Sequence, residues 1–152
     1  MILPASKLIP AAPTLDAYVM DPTPLNWGPL LAPFSPPLPR EGQVIMASFF
    51  GDVFVEDRDG GVWWVNGMEE RVDRIAISRD QFLERIGREY VVMLKTKLLE
   101  MLIVENKLAP AGKLYGLMTP RSEGGRYSTD NIGVAPIADA FAFMGALFAK
   151  KN

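Results

Sequence analysis

Three carboxylates fall within four positions of the sequence, at Glu56, Asp57 and Asp59. Carboxylate oxygens are the ligands that hard cations such as calcium and magnesium prefer, so this spacing could form a metal site. The segment lacks the further ligand pair and the terminal Glu of an EF-hand loop, however, and Arg58 lies inside it. An Asp-rich turn whose next two residues are glycine is typical of a β-hairpin. We therefore expect a hairpin here and no metal ion.

The composition excludes most chemistry that makes or breaks bonds. The 152 residues include no His and no Cys, which are the commonest general base and the usual thiolate nucleophile or zinc ligand. Ser-His and Cys-His pairs are therefore impossible, and only Asp, Glu, Lys, Tyr and Ser remain for catalysis. No spaced motif joins residues of these types, so we expect a protein that is not an enzyme and has no cofactor.

Charge and hydropathy limit the possible partners and location. The net charge is −2, whereas a protein that binds nucleic acid usually carries a basic patch. No apolar run reaches the roughly 18 residues that a membrane span needs. The lack of Cys fits a reducing compartment. We expect a cytoplasmic protein that binds neither nucleic acid nor membrane.

Two other polar segments are expected to be structural. Residues 123–126, Glu-Gly-Gly-Arg, lack the Lys-Ser/Thr pair and the helix that follow the glycines of a phosphate-binding P-loop. We expect a loop in which a glycine adopts positive φ. The charged stretch Glu69, Glu70, Arg71, Asp73 and Arg74 follows Asn-Gly, and we expect it to be a solvated turn.

The elements that position these residues divide the chain at residue 43. Ten of the 13 prolines lie in residues 1–43, and proline fixes φ and removes a donor, so a long helix or central strand is excluded there. We expect an extended proline-rich arm with a short helical turn in Thr14–Met20. Its embedded Leu, Trp and Phe residues favour packing on residues 44–152, and a polyproline ligand for an SH3-like partner is the alternative.

Residues 44–152 predict an α+β domain in which a small antiparallel β-meander packs with two or three helices. Three strands are expected, in 49–55, 62–65 and 71–77. Ser78 and Gln81 form a capping box that begins a helix, Gly87 is expected to interrupt it, and a second helix covers 88–105. A short strand over 113–118 and a final helix from Pro136 follow. That helix places apolar residues at helical spacing: Ile137, Phe141, Met144 and Phe148.

The order of these features from Trp27 onward resembles the C-terminal domain of bacterial type VI secretion immunity proteins, of the kind that neutralise DNase toxins, formerly a domain of unknown function. Glu123 departs from that family, which usually has a hydrophobic residue before the glycine pair. The matching segments are residues 50–55 (FGDVFV), Asp57, Asp59, Gly60, residues 62–65 (VWWV), residues 75–78 (IAIS), Phe82, residues 108–116 (LAPAGKLYG), Pro120, Gly124-Gly125, Asn131-Ile132 and the final helix.

The resemblance implies a protein that binds a cognate toxin, a nuclease, and occludes its active site or substrate groove. The family supplies no contact residues that can be transferred. From charge alone, Glu56, Asp57 and Asp59 could mimic phosphates toward a basic nuclease groove. Trp63 and Trp64 point to opposite faces of a strand, so packing on both faces would bury both, or one of them could anchor the partner. A regulatory or adaptor domain of the same fold without a toxin partner is the alternative.

Overall fold

The structure, a computed structural model, describes residues 13–151, and residues 1–12 of the expected arm lie outside the described residues. Its α+β architecture confirms the predicted fold class. The strands are β1 (Val19–Met20), β2 (Gly42–Ser48), β3 (Asp52–Asp57), β4 (Val62–Asn66), β5 (Arg71–Ala76), β6 (Lys113–Leu117) and β7 (Ile132–Pro136). The α-helices are α1 (Trp27–Leu31), α2 (Arg79–Met93), α3 (Thr96–Val104) and α4 (Ile137–Lys151).

The main sheet is an antiparallel meander in which β1 to β5 follow one another in chain order. The three predicted strands correspond to β3, β4 and β5, but β1 and β2 add two more to the sheet. Residues 49–51, predicted as the start of a strand, are instead a tight turn between β2 and β3. Gly51 adopts φ 81° in that turn. The Ser48 hydroxyl accepts hydrogen bonds from the backbone N–H groups of Phe50 and Asp52, each at 3.1 Å. The Ser48 side chain thus accepts from backbone N–H groups that the turn leaves without a partner in the sheet.

Residues 13–43 form several short elements. A 3₁₀ turn over Pro13–Ala17 leads into β1, which pairs with β2 at the edge of the sheet. Leu15, Phe34 and Leu38 are buried, and the Phe34 ring lies 5.4 Å from that of Phe148 in α4. These three apolar residues therefore belong to the hydrophobic core.

Helix α2 begins at the predicted cap, although the Gln81 side chain bonds one residue further back than in a standard capping box. The Ser78 hydroxyl accepts from the Gln81 N–H at 3.1 Å, and the Gln81 side chain accepts from the Ile77 N–H at 2.8 Å. The predicted break at Gly87 was wrong, because α2 continues through it to Met93. The chain bends instead at Lys95, which adopts φ 55° before α3 begins. This left-handed conformation is unusual for a residue with a side chain.

The bend at Lys95 delivers its ammonium group to a buried carboxylate. Lys95 Nζ lies 2.8 and 2.9 Å from the two carboxylate oxygens of Asp52, whose side chain is 0% exposed. Ser48 Oγ donates to the same carboxylate at 2.7 Å, and Trp64 Nε1 donates at 3.0 Å. One carboxylate therefore connects β2, β3 and β4 with the junction between α2 and α3.

Strands β6 and β7 form a second, two-stranded sheet against which α4 packs. The backbone N–H of Tyr115 donates to the Phe49 carbonyl at 3.0 Å, which joins this hairpin to the main sheet. Strand β7 was not predicted. The apolar face of α4 was, and Phe141, Met144 and Phe148 are buried as expected. Within residues 13–151, no helix combines the length and apolar character that crossing a membrane requires.

Replacing Lys95 by Met should leave the Asp52 carboxylate buried without its cation. We expect Lys95→Met to lower the free energy of unfolding by about 3–5 kcal/mol, measured by urea unfolding. The exposed pair Arg88–Glu84 offers a matched control, since Arg88→Met should cost no more than about 0.5 kcal/mol. Adding Asp52→Asn to Lys95→Met should recover part of the loss. Equal losses in the two single variants would contradict this role of the ion pair.

Candidate functional site

Asp57 holds the β3–β4 hairpin together. Its Oδ1 accepts from the backbone N–H groups of Asp59 and Gly61, each at 2.9 Å, and its Oδ2 accepts from Trp63 Nε1 at 2.9 Å. The side chain is only 10% exposed, and Arg74 Nε lies 3.6 Å from Oδ2. The Trp63 hydrogen bond, followed by the backbone donors and Arg74, lowers the pKa of this carboxyl although burial opposes the shift. Asp57 is therefore ionised, and both of its carboxylate oxygens accept hydrogen bonds from the hairpin itself.

The other two hairpin carboxylates have different surroundings. Glu56 makes a bidentate pair with Arg79, whose Nε and Nη2 lie 2.9 and 3.0 Å from its oxygens. Asp59 is exposed at the turn. The structure thus brings the three predicted residues into one hairpin but pairs two of them internally. Among residues 13–151, no three acidic side chains converge in a way that could hold a metal ion.

The two tryptophans point to opposite faces of the sheet, and both are half-buried. Trp63 packs at the border of the core that includes α4, and its indole N–H is held by Asp57. Trp64 stacks on Phe54 with 5.8 Å between ring centroids, and its indole N–H is held by Asp52. Each indole N–H therefore already has an acceptor within the chain, and only the exposed part of either ring is left for contact with a partner.

An apolar groove of about 290 Å³ lies between the β6–β7 hairpin and α4. Its floor is formed by the hairpin, one wall by Ala140, Phe143 and Leu147 of α4, and the other by the turn after β4. Three large apolar side chains around it are exposed to solvent: Met118 by 62%, Val134 by 49% and Phe143 by 51%. Exposed apolar groups that are gathered around a concavity are typical of binding sites.

Glycines create the groove. Gly116 and Gly133 are directly opposed on β6 and β7, so the hairpin floor has no side chain at this pair. A Cβ at Gly116 would meet no atom within 4 Å. At the wall, a Cβ at Gly67 would collide with the Met144 side chain, so glycine at this position leaves room for that side chain between α4 and the turn.

A polar cluster flanks the groove beside its wall residues Met68 and Pro120. The Tyr127 hydroxyl donates to Glu69 Oε1, and Arg121 Nε lies 3.3 Å from the same oxygen. The Arg121 guanidinium also lies 5.0 Å from the centre of the Tyr127 ring. Burial and the hydrogen bond to Glu69 raise the pKa of Tyr127, so its hydroxyl stays protonated and acts as a donor.

The prediction that residues 69–74 form a solvated turn was wrong at Glu70, which is buried. It is only 3% exposed and adopts φ 57°, and its Oε1 accepts from Ser122 Oγ at 2.9 Å. The reason is that the loop over 121–127 folds back onto this turn. In that loop Gly124 has φ 87°, as expected, and a Cβ at Gly125 would lie 1.7 Å from the Thr119 carbonyl oxygen. Its glycines are therefore structural.

Sequence reasoning missed the groove. The available signals were glycines at 116 and 133 within apolar segments, since glycine in a strand often marks a site where a ligand or another backbone approaches closely. They could be connected only after β7 was known to pair with β6. Comparison of the sequence with models of protein families gives no match, and comparison with curated proteins gives none.

Asp57→Asn should change how stability depends on pH. Because the folded chain lowers this pKa, Asp57 stabilises the fold above its unfolded pKa of about 3.9, and the contribution is lost as the pH falls below that value. Asparagine would give Trp63 a poorer acceptor, so we expect a loss of roughly 1–3 kcal/mol at pH 7 and a smaller further loss between pH 5 and pH 2.5.

Urea unfolding at a series of pH values would measure this change. Asp59→Asn is the matched control, since its exposed carboxylate lies on the same turn. The role assigned to Asp57 is wrong if both variants keep the stability and acid dependence of the unchanged chain.

Proposed function

We propose that this chain is an immunity protein that binds a type VI secretion toxin, a nuclease, and neutralises it by covering its active site or substrate groove. The toxin partner in this proposal comes from the family resemblance, which is carried by segments within residues 50–65, 75–82 and 108–132 and by the final helix. The physical mode, recognition by a preformed surface, is supported by the described residues. In this mode the chain lowers toxin activity in proportion to the complex formed, without turnover.

The apolar groove with its exposed rim is the observation that carries the proposal. Burying Met118, Val134 and Phe143 against a partner would remove apolar surface from water, which is the main driving force of protein association. Binding energy also concentrates in well-packed, fully desolvated pockets near the centre of an interface. The groove is preformed by glycines and a packed helix, so little ordering would be needed on binding.

The use of the polar groups supports binding over catalysis. Asp52 is held by Lys95, Glu56 by Arg79, and Asp57 by Trp63 and backbone N–H groups. A general base needs a free lone pair within reach of a substrate proton. The lone pairs of these carboxylates instead accept hydrogen bonds from donors within the chain.

The acidic hairpin has a smaller part in this proposal than its sequence indicates. Two of its three carboxylates pair internally, so Asp59 provides most of the unpaired negative charge there. Phosphate mimicry by this turn would therefore be weak, and a long-range steering effect is the most that one exposed charge supplies.

Co-expression with the product of the neighbouring gene tests the function. We expect that product alone to arrest growth of a bacterial host, and this chain to restore growth by forming a stoichiometric complex that can be purified. The control is the same toxin with an unrelated small α+β protein of similar charge. A complex that forms without protecting the host would indicate the adaptor function, and absence of both would contradict the proposal.

A further inference from the structure

We propose that the apolar groove binds a segment of a partner protein in which an apolar side chain stands next to a lysine or arginine. This inference rests on the proposed function, since it names the kind of toxin segment that the immunity surface would recognise. It is argued from the size of the groove, its lining and the charge at its edge.

The volume of the groove selects side chains over a larger ligand. About 290 Å³ lies at the lower limit of pockets that enclose a drug-sized molecule. The pair Gly116–Gly133 leaves the middle of the groove floor without side chains, and Phe143 and Leu147 lie beside it. An aromatic or branched aliphatic side chain lying on this floor would contact backbone and apolar side chains on three sides.

One charge marks the edge of the groove. Among the described residues that line it, Asp139 is the single charged one. It is exposed in the first turn of α4, and none of the ion pairs found within residues 13–151 includes it. A carboxylate that borders apolar surface favours a partner group that carries positive charge. The apolar lining and the carboxylate at its edge together favour a partner segment in which a lysine or arginine lies next to an apolar side chain.

The presence of Asp139 could also have a purely structural reason, because a carboxylate at a helix N-terminus interacts favourably with the helix dipole. Asp80 supplies the comparison. It is likewise exposed and lies in the first turn of α2, a helix of the same 15-residue length, but it lies outside the groove. The inference therefore predicts that Asp139 affects binding and Asp80 does not.

Selection of short random peptides displayed on phage against the folded chain tests the inference without the toxin. We expect the enriched peptides to share an aromatic or aliphatic residue beside Lys or Arg. Synthetic versions of those peptides would then be titrated against the chain. Binding should weaken as NaCl is added, because a surface ion pair is screened by salt.

Variants of the groove locate the binding site. Gly116→Leu fills the floor at a position where a Cβ meets no atom. Phe143→Ser removes one of the three exposed apolar side chains of the rim and leaves the buried core unchanged. We expect each to weaken peptide binding roughly tenfold or more, equivalent to about 1.4 kcal/mol. Asp139→Asn should weaken it less and abolish its dependence on salt. The controls Gly28→Leu, at an open glycine on α1, and Asp80→Asn should leave the affinity unchanged.

The outcomes separate this inference from the function that it rests on. Peptides without a basic residue, peptides that bind Gly116→Leu as well as the unchanged chain, or a failure to select any peptide would overturn it. So would a dimer that dissociates on Gly116→Leu, since a second copy would then fill the groove. Growth rescue that survives Gly116→Leu and Phe143→Ser would sustain the immunity function while refuting this site.

Discussion

The buried carboxylate of Asp52 is the constraint on which the rest of the structure depends. An ionised carboxylate without partners would be too costly to bury in the core, so three donors must be brought to it from separate elements. Ser48, Trp64 and Lys95 supply them. This requirement accounts for the tight turn before β3, which places Ser48 beside the carboxylate. It also accounts for the left-handed backbone at Lys95, because that conformation directs the ammonium group to Asp52.

Strand β3 begins and ends with aspartate, and each aspartate holds one of the adjacent tryptophans. Asp52 and Asp57 are an odd number of residues apart, so they lie on opposite faces, as do Trp63 and Trp64. Both faces of the sheet therefore carry an indole whose polar edge is satisfied. This allows aromatic packing on each side, under the proline-containing segment and α4 on one face and under α2 on the other.

Helix α4 connects stability with the proposed binding surface. Phe141, Met144 and Phe148 pack into the core, while Phe143 and Leu147 border the groove. Ala140 and Met144 belong to both the core and the groove wall, whereas Phe143 lies on the exposed side of the helix and can change without opening a cavity in the core. The polar cluster of Glu69, Arg121 and Tyr127 holds the loop that flanks the groove. The Tyr127 hydroxyl stays protonated and can therefore donate its hydrogen bond to Glu69.

The sequence by itself determined the fold class, the capped start of α2 and the buried face of α4, because these depend on local periodicity and on side chains within a few residues of each other. Tertiary structure alone decided what the hairpin carboxylates and tryptophans do, since the partners of Asp52 and Glu56 are as distant as Lys95 and Arg79. It also decided that Glu70 is buried and that Gly116 and Gly133 open a groove. Those outcomes depend on which strands pair, and long-range pairing is set by the packing of the whole chain.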